Sequence, residues 1–337
     1  MTKWITTVVQ PTTVNSVFKA KNDIKEIAQK DGYDVLSIFR YDSANDQDNA
    51  LHARIDGITA PVDAGDLVVF QYPTNNGNRF DTQFIEHLLT RRAKVVIFIH
   101  DAEILRGTIN FDEIKALNST SLIITHNPAM SQGLVDRGLT TPTLSNYAFD
   151  YLTDAWNGQP RADFTKELVF AGTLDKSRYL TEWTHATKLT VFGRHEFIDI
   201  DPRIEDRGEM KPEKLAYNLP FRFGLAWDSN IPGGGQYKNY TRFNNPHKIS
   251  MYLANGLPVV AWKEGGMAPF IEKNHVGITL NSLDELDDAM AALTDQDIDT
   301  MLANVDKVRT ALRKGHFTRR VLHQMELQVL DQDIVFD

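Results

Sequence analysis

The stretch NNPHKISMYLANGLPVV, residues 244–260, contains the helix-to-strand transition of an α/β domain. A proline suited to a first helical turn predicts a helix over Pro246–Ala254. The apolar run Pro258–Trp262 that follows has the length of a buried strand. His247 and Lys248 would lie beside the N–H groups and positive dipole of the helix start, which predicts an anion site. The same pattern fits a capped surface helix with incidental charges.

Working outward from this stretch, apolar runs of strand length alternate with segments of helical period. The predicted strands are Trp4–Val9, Tyr33–Phe39, Asp66–Tyr72, Lys94–His100, Ser121–Thr125, Glu167–Ala171, Lys188–Phe192, Phe221–Ala226, Pro258–Trp262 and Val276–Leu280. A helix is predicted over Lys176–Thr184, and the segment 297–330 is predicted to be helical. Because continuous apolar strands separated by helices imply buried parallel sheets, both halves read as α/β.

A linker-like stretch, NGQPRA at 157–162, separates the two halves. The predicted domains are residues 1–158 and 159–318. Residues 319–337 are predicted to form a C-terminal helix that packs back on the first domain. A chain of 337 residues is long for one core and sufficient for two.

Composition excludes several classes of function. The formal net charge of -9 argues against a nucleic-acid binder, which needs a basic surface. With no cysteine in the chain, disulfides, thiol nucleophiles and cysteine–zinc sites are excluded. No signal peptide and no apolar run of membrane-spanning length is present, so we expect a cytoplasmic protein, with peripheral membrane contact left open. Carboxylate clusters lack metal-loop spacing, so neither a metal site nor a cofactor is expected.

A second anion candidate follows the strand Glu167–Ala171. Gly172 lets a ligand approach the backbone beside Thr173. Lys176 and Arg178 come next, at the start of the predicted helix, and an arginine can hold a diphosphate through two parallel hydrogen bonds. The alternative is a tight turn with solvated cations.

The first half offers a candidate for acid–base chemistry. An apolar strand delivers His100 and Asp101 at its carboxyl end, where α/β folds place active sites, and either could act as a general base. The alternative is a buried histidine next to an aspartate that caps the following segment. Other residues predicted on this rim are Thr13, Asn15, Tyr72 and Thr74.

Together these segments resemble the bacterial β-1,6-galactofuranosyltransferase and adhesin-glycosylating glucosyltransferase family, which has the GT-B fold. The matching pieces run in order over most of the chain: KA and DI at 19–24, RIDGI at 54–58, GDLVVFQYPT at 65–74, KVVIFIHD at 94–101, AGTLDKS at 171–177, FGLAW at 223–227 and NPHK at 245–248 through PV at 258–259. Where the family has a tryptophan after the QYPT-like stretch, this chain has Asn75-Asn76.

The resemblance implies two Rossmann-like domains that face a central cleft. It implies metal-independent transfer of a hexose (galactofuranose, galactose or glucose) from a UDP-sugar to a glycan or glycoprotein acceptor. The first domain would bind the acceptor and the second the UDP-sugar. Residues expected to contact the nucleotide are Gly172, Thr173, Lys176, Arg178, Tyr217, Asn245, His247, Lys248 and Tyr252, the two tyrosines packing on or near the nucleoside.

The positions that align with the paired glutamates of retaining enzymes are Phe243 and Met251, which favours inversion at the transferred sugar. Two other functions stay open at this point. One is a UDP-sugar epimerase on the same scaffold, and the other is a non-catalytic partner of another glycosyltransferase. Homo-oligomerisation is also left open.

Overall fold

A computed structural model describes residues 1–10, 16–107, 112–156, 162–228 and 238–330. The chain divides into two compact units. The first unit comprises Met1–Asn146 together with the chain from Gly315 onward, and the second comprises Tyr147–Lys314. No helix among the described residues is long and apolar enough to cross a membrane.

The division between the units lies upstream of the predicted boundary at 158/159, and the return to the first unit lies at 314/315 instead of 318/319. Hydrogen bonds explain the first difference. The Tyr147 carbonyl accepts from the Asn245 side chain, at 3.0 Å. The Trp156 indole donates to the Ala216 carbonyl, at 2.7 Å. The segment that joins the predicted domains is therefore bound to the second unit.

The first unit is a six-stranded parallel sheet with the order β2-β1-β3-β4-β5-β6. Its elements up to the division are β1 (Lys3–Val9), α1 (Ser16–Lys30), β2 (Asp34–Phe39), α2 (Asp48–Thr59), β3 (Leu67–Tyr72), α3 (Asn78–Thr90), β4 (Lys94–Ile99), α4 (Glu103–Arg106), α5 (Glu113–Asn118), β5 (Leu122–Thr125), α6 (Pro128–Val135) and β6 (Thr143–Ser145). Every residue of β3 is buried, as the continuous apolar pattern predicts.

The second unit is also a six-stranded parallel sheet, with the order β12-β11-β10-β7-β8-β9. Its elements are β7 (Thr165–Ala171), β8 (Leu189–Phe192), β9 (Glu205–Asp206), α7 (Pro212–Asn218), β10 (Arg222–Ala226), α8 (Lys238–Thr241), α9 (His247–Ala254), β11 (Val259–Trp262), α10 (Ala268–Asn274), β12 (Gly277–Leu280), α11 (Leu286–Ala292) and α12 (Asp295–Arg313). The strand order reverses between β7 and β10, which are neighbours in the sheet.

The helix predicted over Lys176–Thr184 is wrong. The chain instead forms two short 3₁₀ turns, Leu174–Lys176 and Arg178–Thr181, separated by Ser177 at φ -117° and ψ 66°. Leu174 and Leu180 are both buried, although six residues at 3.6 per turn would place them about 120° apart around a helix.

The predicted helical segment at 297–330 is divided at Gly315, which has φ 73°, a left-handed conformation that favours glycine. The second part is α13 (His316–Leu330), and it packs on the first unit. The Lys94 ammonium donates to the Val329 carbonyl, at 2.9 Å. Lys3 forms an ion pair with Glu326, at 3.0 Å.

Two parallel six-stranded sheets, each flanked by helices, confirm the α/β prediction of two Rossmann-like domains. In such sheets the chain leaves each strand at the carboxyl edge, and ligands bind at that edge where the strand order reverses. The second unit has this point between β7 and β10, and the first unit has it between β1 and β3.

Candidate active site

The turn after β7 and the first turn of α9 meet at the carboxyl edge of the second sheet. A Cβ atom built on Gly172 would lie 3.7 Å from the Lys248 Nζ atom. That Nζ atom lies 4.2 Å from the centre of the Phe170 ring. This edge lies beside the reversal of strand order, where α/β sheets bind ligands. The structure therefore joins two anion candidates that are separate in the sequence.

Charges around Lys248 define the electrostatics of this site. Burial lowers the pKa of Lys248, the neighbouring Lys176 lowers it further, and the Asp228 carboxylate opposes the shift. Lys176 and Arg178 are exposed on the two successive 3₁₀ turns after β7. Since a bound anion would stabilise the charged form of Lys248, the site suits a phosphate group.

The start of α9 adds a partial positive charge. Pro246 precedes the helix in an extended conformation, φ -60° and ψ 123°, and among the described residues no side chain caps the helix start. The His247 ring lies beside Phe149 and Tyr151, with ring centres 6.2 and 5.2 Å apart. Asn245 is buried and holds the segment at Tyr147. Asn245 thus anchors this segment, and its contact with the nucleotide stays a prediction, while the helix start and Lys248 lie at the candidate anion site.

Tyr252 is not placed to stack on a nucleoside, because its ring is fully buried. A Cβ atom on Gly224 of β10 would lie 2.2 Å from the Tyr252 ring, so only glycine leaves room for this side chain. The Tyr252 hydroxyl accepts from the Ala171 N–H, at 2.8 Å, next to Gly172. Tyr252 therefore holds α9 against the end of β7 from within the core of the second unit.

Tyr217 is also displaced from the predicted nucleotide site. It lies near the end of α7, which leads into the amino end of β10. It interacts electrostatically with Arg313, whose guanidinium donates to the Ala254 carbonyl at the far end of α9, at 2.7 Å. Tyr217 therefore lies at the edge of the sheet opposite Lys248.

Two residues at the carboxyl edge were missed from the sequence. Asp228 follows β10 and accepts a hydrogen bond from the Thr241 hydroxyl. Gly193 follows β8, and a Cβ atom there would lie 1.8 Å from the Gly172 carbonyl oxygen. A polar or glycine residue directly after each strand was the available signal for Asp228 and Gly193.

In the first unit His100 is buried, with its backbone N–H bonded to the Tyr72 carbonyl, at 2.7 Å. Its Nε2 atom lies 2.9 Å from the Gln71 Oε1 atom. The Gln71 amide nitrogen donates to the carbonyls of Thr6 and Lys21, so Gln71 Oε1 can only accept from His100. When the His100 ring is neutral, its proton is therefore on Nε2 and its lone pair is on Nδ1.

Asp101 is partly exposed and forms an ion pair with Arg106, at 2.6 Å. Arg106 also pairs with Glu103, at 2.8 Å, within α4. The Arg106 guanidinium therefore lies directly beside the carboxylate that is the candidate general base.

Tyr72 and Thr74 are not on an accessible rim. Both are buried, and their hydroxyls bond to carboxylates of the same unit: Tyr72 to Glu113 at 2.7 Å and Thr74 to Asp81 at 2.5 Å. Burial and Glu113 raise the pKa of Tyr72. Thr13 and Asn15 lie outside the described residues.

A buried charge network beneath this edge was not predicted. The Lys21 ammonium donates to the carbonyls of Gln71 and Pro73, at 2.8 Å each. Burial lowers the pKa of Lys21 to about 7, and burial raises the pKa of Asp81 to about 7. Lys21 therefore fixes the end of β3, which carries the Gln71 that orients His100. No local pattern marks Lys21, because its partners are 50 and 52 residues away.

The described residues contain no group of three histidine, aspartate or glutamate side chains that could hold a metal ion.

Two family models match this chain, one over most of each unit. The N-terminal domain of the glucosyltransferase 3-like family matches residues 2–147, and its C-terminal domain matches residues 168–325. Glucosyltransferase 3 of Streptococcus gordonii is 31% identical over 92% of this chain and 94% of its own length. The β-1,6-galactofuranosyltransferase WbbI of Escherichia coli K12 is 28% identical over 77% of this chain and 79% of its own.

Among solved structures, HepE of Anabaena in complex with UDP and glucose superposes with a TM-score of 0.61 and 13% identity, covering 96% of this chain and 99% of that one. Two Rossmann-like units with these relatives define a glycosyltransferase of the GT-B fold. Within that class, the chain belongs to the glucosyltransferase 3-like family.

Proposed function

We propose that this enzyme transfers a hexose from a UDP-sugar to a hydroxyl of a glycan or glycoprotein acceptor. The observation that carries the proposal is the convergence of Gly172, Lys248 and the start of α9 at the reversal of strand order in the second unit. The names of the relatives, a glucosyltransferase and a galactofuranosyltransferase, support a hexose donor. The UDP in the structurally similar HepE complex supports the nucleotide.

In this proposal the second unit binds the diphosphate. Transfer breaks the bond between the anomeric carbon and the β-phosphate oxygen, and UDP leaves with an additional negative charge. Lys248 and the start of α9, with Lys176 and Arg178 on the adjacent turn, stabilise that charge without a metal ion. These cations stabilise the transition state more than the bound substrate, because the additional charge on the leaving UDP develops only during the reaction.

The first unit provides the acceptor side. Asp101 or His100 removes the proton of the attacking hydroxyl, and its oxygen forms the new bond to the anomeric carbon. His100 would act through Nδ1, since its Nε2 proton is engaged by Gln71. We propose inversion at the anomeric carbon, because direct attack opposite the leaving UDP requires a base but no protein nucleophile.

The test begins with a panel of sugar nucleotides and thermal unfolding of the full chain. A ligand that binds only the native state raises its midpoint, so UDP-hexoses should stabilise the protein and GDP- or ADP-sugars should not. The selected donor is then incubated with and without saccharide acceptors, and proton NMR gives the anomeric configuration of the product.

Each outcome bears on the proposal. Transfer with inverted configuration supports it, and a retained configuration overturns the inverting mechanism alone. Isomerisation of the donor without an acceptor would indicate an epimerase. Absence of stabilisation by any UDP-hexose would overturn the proposed donor class and favour a non-catalytic role.

A further inference from the structure

The loop that follows β8 is hydrogen-bonded to the turns after β7 that carry Lys176 and Arg178. The Oδ1 atom of Asp175 accepts the backbone N–H groups of Glu196 and Phe197, at 2.9 and 2.8 Å. The Phe197 bond and the Glu196 bond lower the pKa of this carboxyl. Lys176 follows Asp175 directly in the first 3₁₀ turn, and Arg178 begins the second. A shift of Asp175 would therefore move the backbone that carries both cations.

The base of the same loop is joined to the first turn by the backbone. The Leu174 N–H donates to the Arg194 carbonyl, at 3.1 Å. This bond holds the beginning of the loop, whereas the two Asp175 bonds hold residues 196–197 further along it. Because the loop and the turn are bonded at two places, the position of one depends on the position of the other.

His195 holds the loop through both of its ring nitrogens. Its Nδ1 atom lies 3.1 Å from the Ile198 carbonyl oxygen, and its Nε2 atom lies 2.9 Å from the Oδ2 atom of Asp206 in β9. A carbonyl and a carboxylate only accept hydrogen bonds, so the two bonds form together only when both ring nitrogens carry protons. The hydrogen bond to Asp206 raises the pKa of His195. This loop conformation therefore favours the imidazolium form of His195.

The other charges around His195 support the same form. The Asp175 carboxylate adds to the attraction of Asp206 for the imidazolium. The charged side chains that flank His195 in the loop and Asp206 in β9 are paired with each other: Arg194 with Glu196, and Arg207 with Glu205. Loss of one proton would leave a ring nitrogen lone pair of His195 facing an acceptor, which would weaken the attachment of the loop.

We propose that Asp175 and protonated His195 position the turns after β7 to bind a diphosphate. They are positioning residues, because they act through the backbone of the loop and the turns and not by contact with the ligand. The inference rests on the proposed function, in which the UDP-sugar supplies the diphosphate. The loop raises the pKa of His195, so its two bonds are complete at low pH and are lost as the pH rises through the raised value. Diphosphate affinity should fall with them.

The direction of the Asp175 effect separates positioning from simple electrostatics. A carboxylate next to Lys176 repels an anion, so charge alone predicts that Asp175→Ala strengthens diphosphate binding. Loss of the loop bonds predicts the opposite, and we expect about 10-fold weaker binding of UDP and of inorganic pyrophosphate. Asp175→Asn keeps an oxygen that can accept both N–H groups and should recover most of the affinity. The matched control Asp199→Ala removes an exposed carboxylate from the same loop and should weaken neither ligand.

The pH dependence tests His195 on the full chain. Calorimetry with UDP and with pyrophosphate, in EDTA, compares the wild type with His195→Gln at about pH 6 and about pH 9. The ratio of the two affinities cancels the titration of the phosphates and of Lys248. We expect the wild type to bind about 10-fold more tightly near pH 6 and equally near pH 9, since neutral His195 cannot form both bonds. The control Arg207→Gln removes an exposed cation next to Asp206, and its ratio to the wild type should not change with pH.

The two ligands distinguish this inference from the proposed function. Stronger or unchanged diphosphate binding in Asp175→Ala, or a pH-independent ratio for His195→Gln, would overturn the positioning role and leave a UDP-binding enzyme as proposed. A wild type that binds pyrophosphate but not UDP, with the expected dependence on Asp175 and His195, would refute the donor and support the positioning role. A wild type that binds neither ligand would refute both.

Discussion

At the scale of the residue, Lys248 joins the two candidate anion-binding segments of the second unit. Its Nζ atom lies over Phe170 and close to Gly172. Burial already disfavours its charge, so a bound diphosphate gains a strong, poorly hydrated partner. This makes Lys248 the side chain whose removal should affect the nucleotide most.

We expect Lys248→Gln to weaken UDP binding by about 1–3 kcal/mol, because a charge-assisted hydrogen bond to phosphate is lost. Isothermal titration calorimetry measures the change. Lys188→Gln, at the amino end of β8, removes a cation from the opposite edge and should leave UDP affinity unaltered. Equal UDP affinities in wild type and Lys248→Gln would place the diphosphate elsewhere.

The second residue-scale prediction concerns Asp101. Asp101→Asn preserves shape and removes basicity, so it should lower kcat by roughly 10²–10⁴-fold while UDP affinity is retained. Steady-state kinetics with a selected donor and acceptor measures this. His100→Ala tests the other candidate in the same assay. Near wild-type turnover in both variants would mean that the base lies outside this pair, and unfolding of Asp101→Asn would favour a capping role.

Acid stability provides a third prediction, at His126. Burial lowers the pKa of His126 to about 3, from an ordinary value of 6.5. Between pH 6.5 and pH 3 the unfolded chain binds a proton at His126 that the folded chain does not bind. The free energy of unfolding therefore has its full value above pH 6.5 and decreases as the pH falls through this range. The slope for one such group is about 1.4 kcal/mol per pH unit.

His126→Gln should remove this contribution. Urea unfolding at pH 7.5 and pH 5.5 gives the change in unfolding free energy for wild type and variant. We expect the wild type to lose more stability across this interval than the variant. Identical pH dependences would show that the pKa of His126 is the same in the folded and unfolded states.

At the scale of the element, α9 packs closely on β10 because Gly224 has no side chain and leaves room for the Tyr252 ring. Gly224→Ala would bring a Cβ atom into the Tyr252 ring and displace α9, and overpacking of this kind costs about 1–3 kcal/mol. We expect thermal unfolding at lower temperature together with weaker UDP binding. Gly57→Ala in α2 meets no atom within 4 Å and should leave both unchanged or slightly improved. Unaltered UDP affinity in Gly224→Ala would separate α9 from the site.

The elements also show why some features could be predicted and others could not. β3 and β4 are continuous apolar runs, and their predicted bounds differ from the structure by one residue at one end. Helix α2 was not predicted, since only Leu51, Ile55 and Thr59 are buried along it. The 3₁₀ turns after β7 depend on long-range packing of Leu174 and Leu180, which leaves no helical or alternating pattern.

The candidate site likewise contains residues that local sequence patterns identify and contacts that they do not. Lys248 and Gly172 were each identified from local signals, a helix start and a glycine after a strand. Their contact, and the burial of Tyr252, depend on the order in which strands pair, which the sequence does not display locally. Tyr72 and Thr74 were assigned to the rim because a strand end does not reveal whether a side chain points outward.

At the scale of the whole molecule, the chain carries a net charge of -9, yet the carboxyl edge of the second sheet presents Lys176, Arg178 and Lys248. Cations concentrated at one edge of an acidic protein bind a compact anion without attracting extended polyanions. This distribution suits a nucleoside diphosphate better than a nucleic acid.

The same cations lead to the last prediction, that sugar transfer survives removal of metal ions. A divalent metal in a transferase neutralises the diphosphate as it leaves, and here Lys248 and the start of α9 are placed to do so directly. We expect initial rates in excess EDTA to equal those in added magnesium or manganese. The Lys248→Gln variant should be slow in all three conditions, since a metal ion has no coordinating role in this mechanism. Loss of wild-type turnover in EDTA, with recovery on adding manganese or magnesium, would instead assign the neutralising charge to a metal and refute the cation-based mechanism.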